Sequence, residues 1–120
     1  MKLVITSQGP DLNSPVDPRF GRAKFFIVFD SDAKQFSSVD NSLNLNALQG
    51  AGIQSGKNIV NLGAEAVITG HVGPKALATL TSAGVKIYTG ASGTVAEAVE
   101  QFNAGKLKLA DSPDVQGHWM

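Results

Sequence analysis

The first half of the chain alternates short apolar runs with long polar segments, which is typical of strands joined by surface loops. Residues 3–5 (Leu-Val-Ile) form a β-branched run that predicts a buried strand. Residues 25–29 (Phe-Phe-Ile-Val-Phe) are the most apolar run and predict a strand buried on both faces. In residues 36–39, Phe36 and Ser38 alternate with Ser37 and Val39 along the chain, which predicts a half-exposed edge strand closing a hairpin.

The second half of the chain shows helical spacing interrupted by short apolar runs. Helical periodicity covers three segments that each end at a glycine: residues 50–63, 74–84 and 94–105. Thr94 and Glu97 form a capping-box pattern at the start of the third segment. Residues 66–69 and 85–88 are the apolar runs between these segments and predict two further strands.

The element order β-β-β-α-β-α-β-α predicts an α/β fold with three layers, in which helices cover both faces of a mixed five-stranded sheet. The first strand is expected to lie centrally and parallel to the two later strands. The hairpin strand 25–29 is expected to pair antiparallel beside it, with 36–39 on the edge. We predict one domain over residues 1–109 and a flexible C-terminal tail over residues 110–120.

Composition narrows the possible functions. The 120 residues suit one domain, 42% of them are apolar, and ten basic residues balance ten acidic ones. This balance argues against a broad nucleic-acid or membrane surface. The lack of cysteine excludes disulfides and thiolate metal sites. Because no signal-peptide pattern or membrane-spanning apolar run is present, we expect a cytoplasmic protein.

Both arginines of the chain, Arg19 and Arg22, lie within one Pro- and Gly-punctuated loop that extends over residues 7–24. Arginine carries a permanent charge and a planar fork of donors that suits anions. A neutral protein with both arginines in one loop is therefore expected to need positive charge there. The alternative is that they are solvated loop residues or ion-pair partners of nearby aspartates.

Two glycine-containing turns are expected to lie beside this loop, because ligands of such sheets bind beyond the carboxyl ends of the parallel strands. One turn covers residues 70–73 and contains His71, and the other covers residues 90–93. Each leads into a helix, whose N-terminal amides and dipole favour anions. The alternatives are turns that simply end one element and cap the next, with Ser92 and Thr94 as capping residues and His71 as an ordinary loop residue.

No catalytic constellation is evident. A metal-dependent nuclease would need converging carboxylates, one of them from a central strand, and residues 3–6 carry none. Asp30, Asp32 and Asp40 surround the hairpin and are interpreted as turn formers. We therefore assign no catalytic residues.

Four segments of the chain form a recognisable set: residues 14–23 followed by the aromatic strand ending at Asp30, and residues 50–53, 67–76 and 94–98. The most specific parts are Phe20-Gly21-Arg22 and Gly73-Pro74-Lys75-Ala76. Together these segments resemble the dinitrogenase iron–molybdenum cofactor biosynthesis family, which includes NifX-like proteins and the C-terminal domain of NifB. The resemblance covers nearly all of residues 2–108.

The resemblance implies a ribonuclease-H-like α/β/α fold and non-covalent binding of metal–sulfur clusters or their precursors without catalysis. The small stand-alone members of that family include one that carries a mixed molybdenum–copper sulfide cluster. We therefore expect a binding or carrier protein for an anionic molybdenum-containing metal–sulfide cluster, of Mo–Cu or Fe–Mo type. Arginine, lysine, backbone amides and apolar contacts could hold such an anion without thiolates.

The expected cluster-binding residues come from the loop and the two turns, and no separate metal-ion site is assigned. They are Arg19, Gly21, Arg22, Gly70, His71, Gly73, Ser92 and Gly93. Two other functions are kept open: a regulatory or scaffold domain acting through protein contacts in a redox or cell-division complex, and a phosphometabolite enzyme using the same cleft. Mobile loops at residues 7–24 and 41–49 would admit the cluster. The tail residues His118 and Trp119 are a less favoured lid.

Overall fold

The computed structural model describes residues 1–41 and 51–110, and of these it describes every side chain except those of residues 51–55. Within these ranges six strands and three helices follow one another. The strands are β1 (Lys2–Ser7), β2 (Phe25–Asp30), β3 (Gln35–Asp40), β4 (Ala66–Ile68), β5 (Lys86–Thr89) and β6 (Lys108–Leu109). The helices are α1 (Ala51–Asn61), α2 (Pro74–Ser82) and α3 (Val95–Asn103).

All six strands belong to one mixed sheet with the order β3-β2-β1-β4-β5-β6. β1 pairs parallel with β4, and β4 pairs parallel with β5. β2 pairs antiparallel with the other side of β1, and β3 forms the edge. The pairing confirms the predicted placement of the first strand and of the hairpin.

The predicted five-stranded sheet is wrong, because β6 adds a sixth strand antiparallel to β5. After α3 the chain turns back along the open side of β5, and its backbone groups pair there. Ala110 continues this pairing, since its N–H donates to the Ile87 carbonyl at 2.8 Å. Two residues are too short a segment to show a strand periodicity in the sequence.

Alternating side chains of the central strands contribute to two separate hydrophobic cores, one on each face of the sheet. One face is covered by α1 and α2, and its fully buried members include Val4, Val67, Ile87, Ile59 and Leu80. The other face is covered by α3, and its fully buried members include Leu3, Ile5, Ile68, Val95 and Ala98. The layers are therefore helix, sheet and helix.

Several sequence expectations concern the ends of elements. Asn41 is buried, and its side-chain amide donates to the Ala23 carbonyl at 2.8 Å. The rest of the predicted loop at 41–49 and the tail residues 111–120, including His118 and Trp119, lie outside the described residues, as does the side chain of Ile53. The boundary between domain and tail stays a prediction.

In the described part of the chain, no helix is both long and apolar enough to cross a membrane.

Candidate functional site

The loop that carries both arginines is anchored by two apolar side chains. Phe20 and Ala23 are buried in the core under α1 and α2, and the Phe20 ring stacks on Phe26 with centroids 5.8 Å apart. Arg19 and Arg22 each adjoin one of these anchors and are exposed. The apolar side chains thus fix the loop while both guanidinium groups lie on the surface.

A second anchor joins the middle of this loop to the ends of two parallel strands. The Asp17 N–H donates to the Thr6 carbonyl at 3.0 Å, and the Thr6 hydroxyl donates to the Asp17 carbonyl at 2.7 Å. The Thr6 hydroxyl also lies 2.9 Å from that of Thr69, at the end of β4, and both threonines are fully buried. This part of the predicted mobile loop is therefore tied to the sheet.

Gly70 lets the loop approach the end of β4 closely. A β-carbon at Gly70 would lie 2.7 Å from the Pro18 α-carbon, which is too close for any other residue. The His71 N–H donates to the Pro18 carbonyl at 2.7 Å, and the Phe20 N–H donates to the His71 carbonyl at 3.3 Å. These bonds form a parallel bridge that sets Arg19 beside His71. Two segments predicted to share a site therefore meet.

The surface beside this junction forms a small cleft, which we call the basic cleft. Its volume is about 330 Å³, within the ~300–1,000 Å³ typical of small-ligand sites. It is lined by Gln8, Asp17, Arg19, Arg22 and Lys24. Three cationic side chains thus surround one carboxylate, which favours an anionic ligand.

Three lining residues were not among the expected site residues. Lys24 was detectable, because it closes the arginine-rich segment of the sequence. Asp17 is expected from the sequence only as a possible ion-pair partner of the arginines, and Gln8 carries no signal in the sequence. Among the described residues, no group of three or more histidine, aspartate or glutamate side chains could hold a metal ion.

Asp17 and Arg19 form a contact inside the basic cleft. The Asp17 carboxylate accepts the backbone N–H of Arg19 at 3.0 Å, and its Oδ1 lies 3.8 Å from Arg19 Nε. The Asp17 side chain is 4% exposed, whereas that of Arg19 is 68% exposed. A fixed, buried carboxylate therefore faces a solvent-exposed guanidinium group.

The start of α3 is closed by the chain itself. Thr94 is the N-cap, and its hydroxyl and the Glu97 carboxylate form a complete capping box. The Val95 N–H donates to the Ser14 carbonyl at 2.9 Å, and the Ala96 N–H donates to the Leu12 carbonyl at 3.0 Å. These amides stabilise the loop, so they are not available to an anion in this arrangement.

Ser92 and Gly93 also contact protein groups and do not line the basic cleft. The Ser92 N–H donates to the side-chain oxygen of Gln101 at 3.3 Å, and the side-chain nitrogen of Gln101 donates to the Ser92 carbonyl at 3.1 Å. The Gly93 carbonyl accepts the Val16 N–H at 2.9 Å. The expected capping role fits Thr94 rather than Ser92, and a ligand role for Ser92 and Gly93 stays a prediction.

The start of α2 is different. Gly73 is the N-cap and makes no side-chain cap, and Pro74 occupies the first helical turn without an N–H to satisfy. Gly73 is half-buried and His71 is exposed. The turn at residues 70–73 therefore presents a helix start without a side-chain cap next to the loop that carries Arg19 and Gly21.

Comparisons with known proteins match almost the whole chain. A family model described as dinitrogenase iron-molybdenum cofactor matches residues 1–105. The apo form of the orange protein from Desulfovibrio gigas is 37% identical, with a TM-score of 0.92 over 95% of this chain and 96% of that protein. A Thermotoga protein provisionally described as a NifB protein is 35% identical, with a TM-score of 0.84 over 97% and 98% of the two chains. An uncharacterized Methanocaldococcus jannaschii protein is 28% identical over 80% of this chain and 83% of its own length.

Proposed function

Because the chain belongs to the dinitrogenase iron-molybdenum cofactor family, we propose that it binds and carries an anionic metal–sulfur cluster without covalent attachment. The basic cleft is the observation that supports this proposal most directly. It places Arg19, Arg22 and Lys24 around one cavity, although the whole chain has no net charge. Positive charge concentrated in this way favours a compact anion.

The proposed binding mode combines charge with directed hydrogen bonds. Arginine forks and the lysine ammonium donate to the outer sulfur atoms of the cluster. His71 lies beside Arg19 and supplies a further donor or a direct ligand. Gly21 and Gly73 keep the backbone of the loop and turn accessible, and Gly70 allows the loop to pack closely against the turn. Ser92 and Gly93 belong to the proposal as more distant contacts.

The proposed cargo is a molybdenum-containing sulfide cluster with copper or iron. The sequence contains no cysteine, so protein thiolates are not part of the binding mode. The likeness to the orange protein and to the provisionally described NifB protein supports a cofactor-carrying role rather than catalysis. We propose that the protein acts in the cytoplasm. We also propose that its fold is of the ribonuclease-H-like class.

Reconstitution tests the proposal. The protein is mixed with tetrathiomolybdate and either copper or iron, and the mixture is desalted. We expect visible charge-transfer absorption and a fixed metal-to-protein ratio to remain with the protein. If colour and metal separate from the wild-type protein on desalting both in the copper mixture and in the iron mixture, the proposed function is wrong.

A matched pair of variants locates the cargo. Arg22→Ala removes one cation from the basic cleft, whereas Lys106→Ala removes an exposed cation that follows α3. We expect Arg22→Ala to reduce cluster retention strongly and the melting temperature little. The lysine variant should change neither. A fall in melting temperature without a loss of retention would assign Arg22 a structural role instead.

A further inference from the structure

We infer that Asp17 is a built-in competitor for the Arg19 guanidinium, and that this competition makes cargo retention reversible. The inference deepens the proposed function and rests on it. Asp17 has a carboxylate within the basic cleft, where the charge of the expected cargo is also negative. The geometry of Asp17 and Arg19 shows why the Asp17 carboxylate and an anionic cargo would compete for the Arg19 guanidinium.

The Asp17 carboxylate cannot move away when an anion arrives. Its backbone N–H and carbonyl are both bonded to Thr6, at 3.0 and 2.7 Å. The side chain is 4% exposed and is held by the Arg19 backbone N–H at 3.0 Å. The negative charge is therefore a permanent part of the cleft wall.

The Arg19 guanidinium is held far less tightly. The 3.8 Å separation of its Nε from Asp17 Oδ1 exceeds the 2.7–3.2 Å of a hydrogen bond, so attraction between the charges acts there without a fixed fork. With 68% of the side chain exposed, rotation toward an incoming anion breaks no buried contact. Because solvent reaches the guanidinium side of this pair and no hydrogen bond fixes it, we expect the contact to contribute little to stability.

The consequence concerns release. An anion in the basic cleft gains contacts with Arg19 only by drawing the guanidinium from Asp17, and it must tolerate the carboxylate nearby. When the anion leaves, Asp17 takes the guanidinium back. A site that served only for permanent storage would gain affinity from a neutral residue at this position, whereas a carrier must also give up its cargo.

Asp17→Asn tests the inference, because asparagine keeps an oxygen acceptor for the Arg19 N–H and removes the charge. Tetrathiomolybdate alone is the probe, titrated at fixed salt, with its dissociation rate measured after dilution. We expect the variant to bind roughly two- to ten-fold more tightly, mainly through slower dissociation. Weaker or unchanged binding would overturn the inference. Asp17→Ser, which also keeps an acceptor, repeats the test should the asparagine variant melt early.

A double-mutant cycle with Arg19→Gln identifies the partner, since glutamine keeps the backbone N–H but removes the guanidinium. We expect the gain from Asp17→Asn to disappear in this background. An equal gain in both backgrounds would mean that Asp17 acts through general charge, and the competition with Arg19 would be excluded. If the wild-type protein binds no thiomolybdate, the proposed function fails separately. The same four proteins titrated with sulfate then decide the inference by the same criteria.

Discussion

The two helices that begin near the basic cleft use their first turns in opposite ways. At α3, Thr94, Glu97 and the carbonyls of Leu12 and Ser14 take the amide hydrogens of the first turn. At α2, Gly73 provides no side-chain cap. Both starts follow a parallel strand and a glycine-containing turn, so the sequence makes them look equivalent. The difference is that a distant stretch of chain already occupies one of them.

This difference shows when a helix N-terminus can serve as an anion site. The dipole and the unpaired amides exist at the start of every helix, but the chain itself is often the first ligand. At α3 the loop that carries the arginines is the ligand, and the helix start therefore works as an anchor. The charge of the basic cleft can then be positioned at one end of that loop while α3 holds the other.

The largest expected effect comes from Gly70→Ala, which disturbs the contact between the arginine loop and the turn that precedes α2. The new β-carbon would collide with the Pro18 backbone and push the arginine loop from the sheet. Overpacking of this kind costs roughly 1–3 kcal/mol, and the displaced loop should lose cluster retention. Denaturant unfolding and cluster retention after desalting are the measurements.

Gly90→Ala is the matched control for Gly70→Ala. Gly90 has a positive φ of 89°, and nothing lies within 4 Å of the position of its β-carbon. The variant should lose about 1–2 kcal/mol from backbone conformation alone and keep its cluster. Equal losses of retention in the two variants would contradict the role given to the Gly70–Pro18 contact.

Thr94→Ala is expected to have the next largest effect, because it removes the N-cap of α3. Loss of the cap costs about 1 kcal/mol and lowers the melting temperature by a few degrees. Cluster retention should stay within twofold, because the α3 amides already bond to protein carbonyls. Thr81→Ala, which removes an exposed hydroxyl near the end of α2, is the control for the loss of a threonine. A large loss of retention in Thr94→Ala would show that the α3 start contacts the cargo.

Gly73→Ser should have a smaller effect, with opposite signs on stability and binding. Gly73 has a φ of −84° and a ψ of 170°, which serine adopts without strain, and the new hydroxyl can cap α2. A serine cap improves on glycine by only a few tenths of a kcal/mol. The hydroxyl would accept an amide of the α2 start, which would then no longer be available to the cluster, so we expect retention to fall. A variant in which stability and retention rise together would remove the α2 start from the site.

The smallest effect concerns a third set of amides, at the hairpin between β2 and β3. The Asp30 carboxylate accepts the N–H groups of Ala33 and Asp32, and these bonds hold the pKa of Asp30 below its usual range. Because the folded pKa is the lower one, this stabilisation is present above the ordinary carboxyl range near pH 4 and fades as the pH falls through the folded value. The stability difference between wild type and Asp30→Asn should shrink on acidification, as measured by denaturant titration. A difference that stays constant down to pH 2 would contradict this assignment.

The sequence was a better guide to the elements than to the contacts between loops. Val95, Ala98 and Val99 follow helical spacing because they face one side of the sheet, and local periodicity records that. β6 was not predicted because a strand of two residues is too short to show a periodicity in the sequence. Phe20 could have been recognised as an anchor, since a large apolar residue between two arginines is unusual for a solvated loop.

The candidate site was predictable only in part. Arg19 and Arg22 were evident from their chemistry, and the topology of parallel strands predicted that His71 would lie close to them. The closure of α3 was not predictable, because it depends on carbonyls some eighty residues away in sequence. The Asp17 carboxylate requires knowledge of a side-chain distance, which no spacing of residues along a chain supplies.

The bond between Thr6 and Thr69 has a consequence for the lifetime of the protein. The two residues are 63 positions apart, and Pro18 meets the turn at residues 70–73 at a similar separation, so these contacts form only after β4 has docked beside β1. The basic cleft is therefore complete only in the folded chain, and an anion that binds it selects that chain. By mass action, a cargo at about 100 times its dissociation constant would add about 2.7 kcal/mol to stability. Supply of the cluster would then decide how long each copy resists proteolysis in the cell.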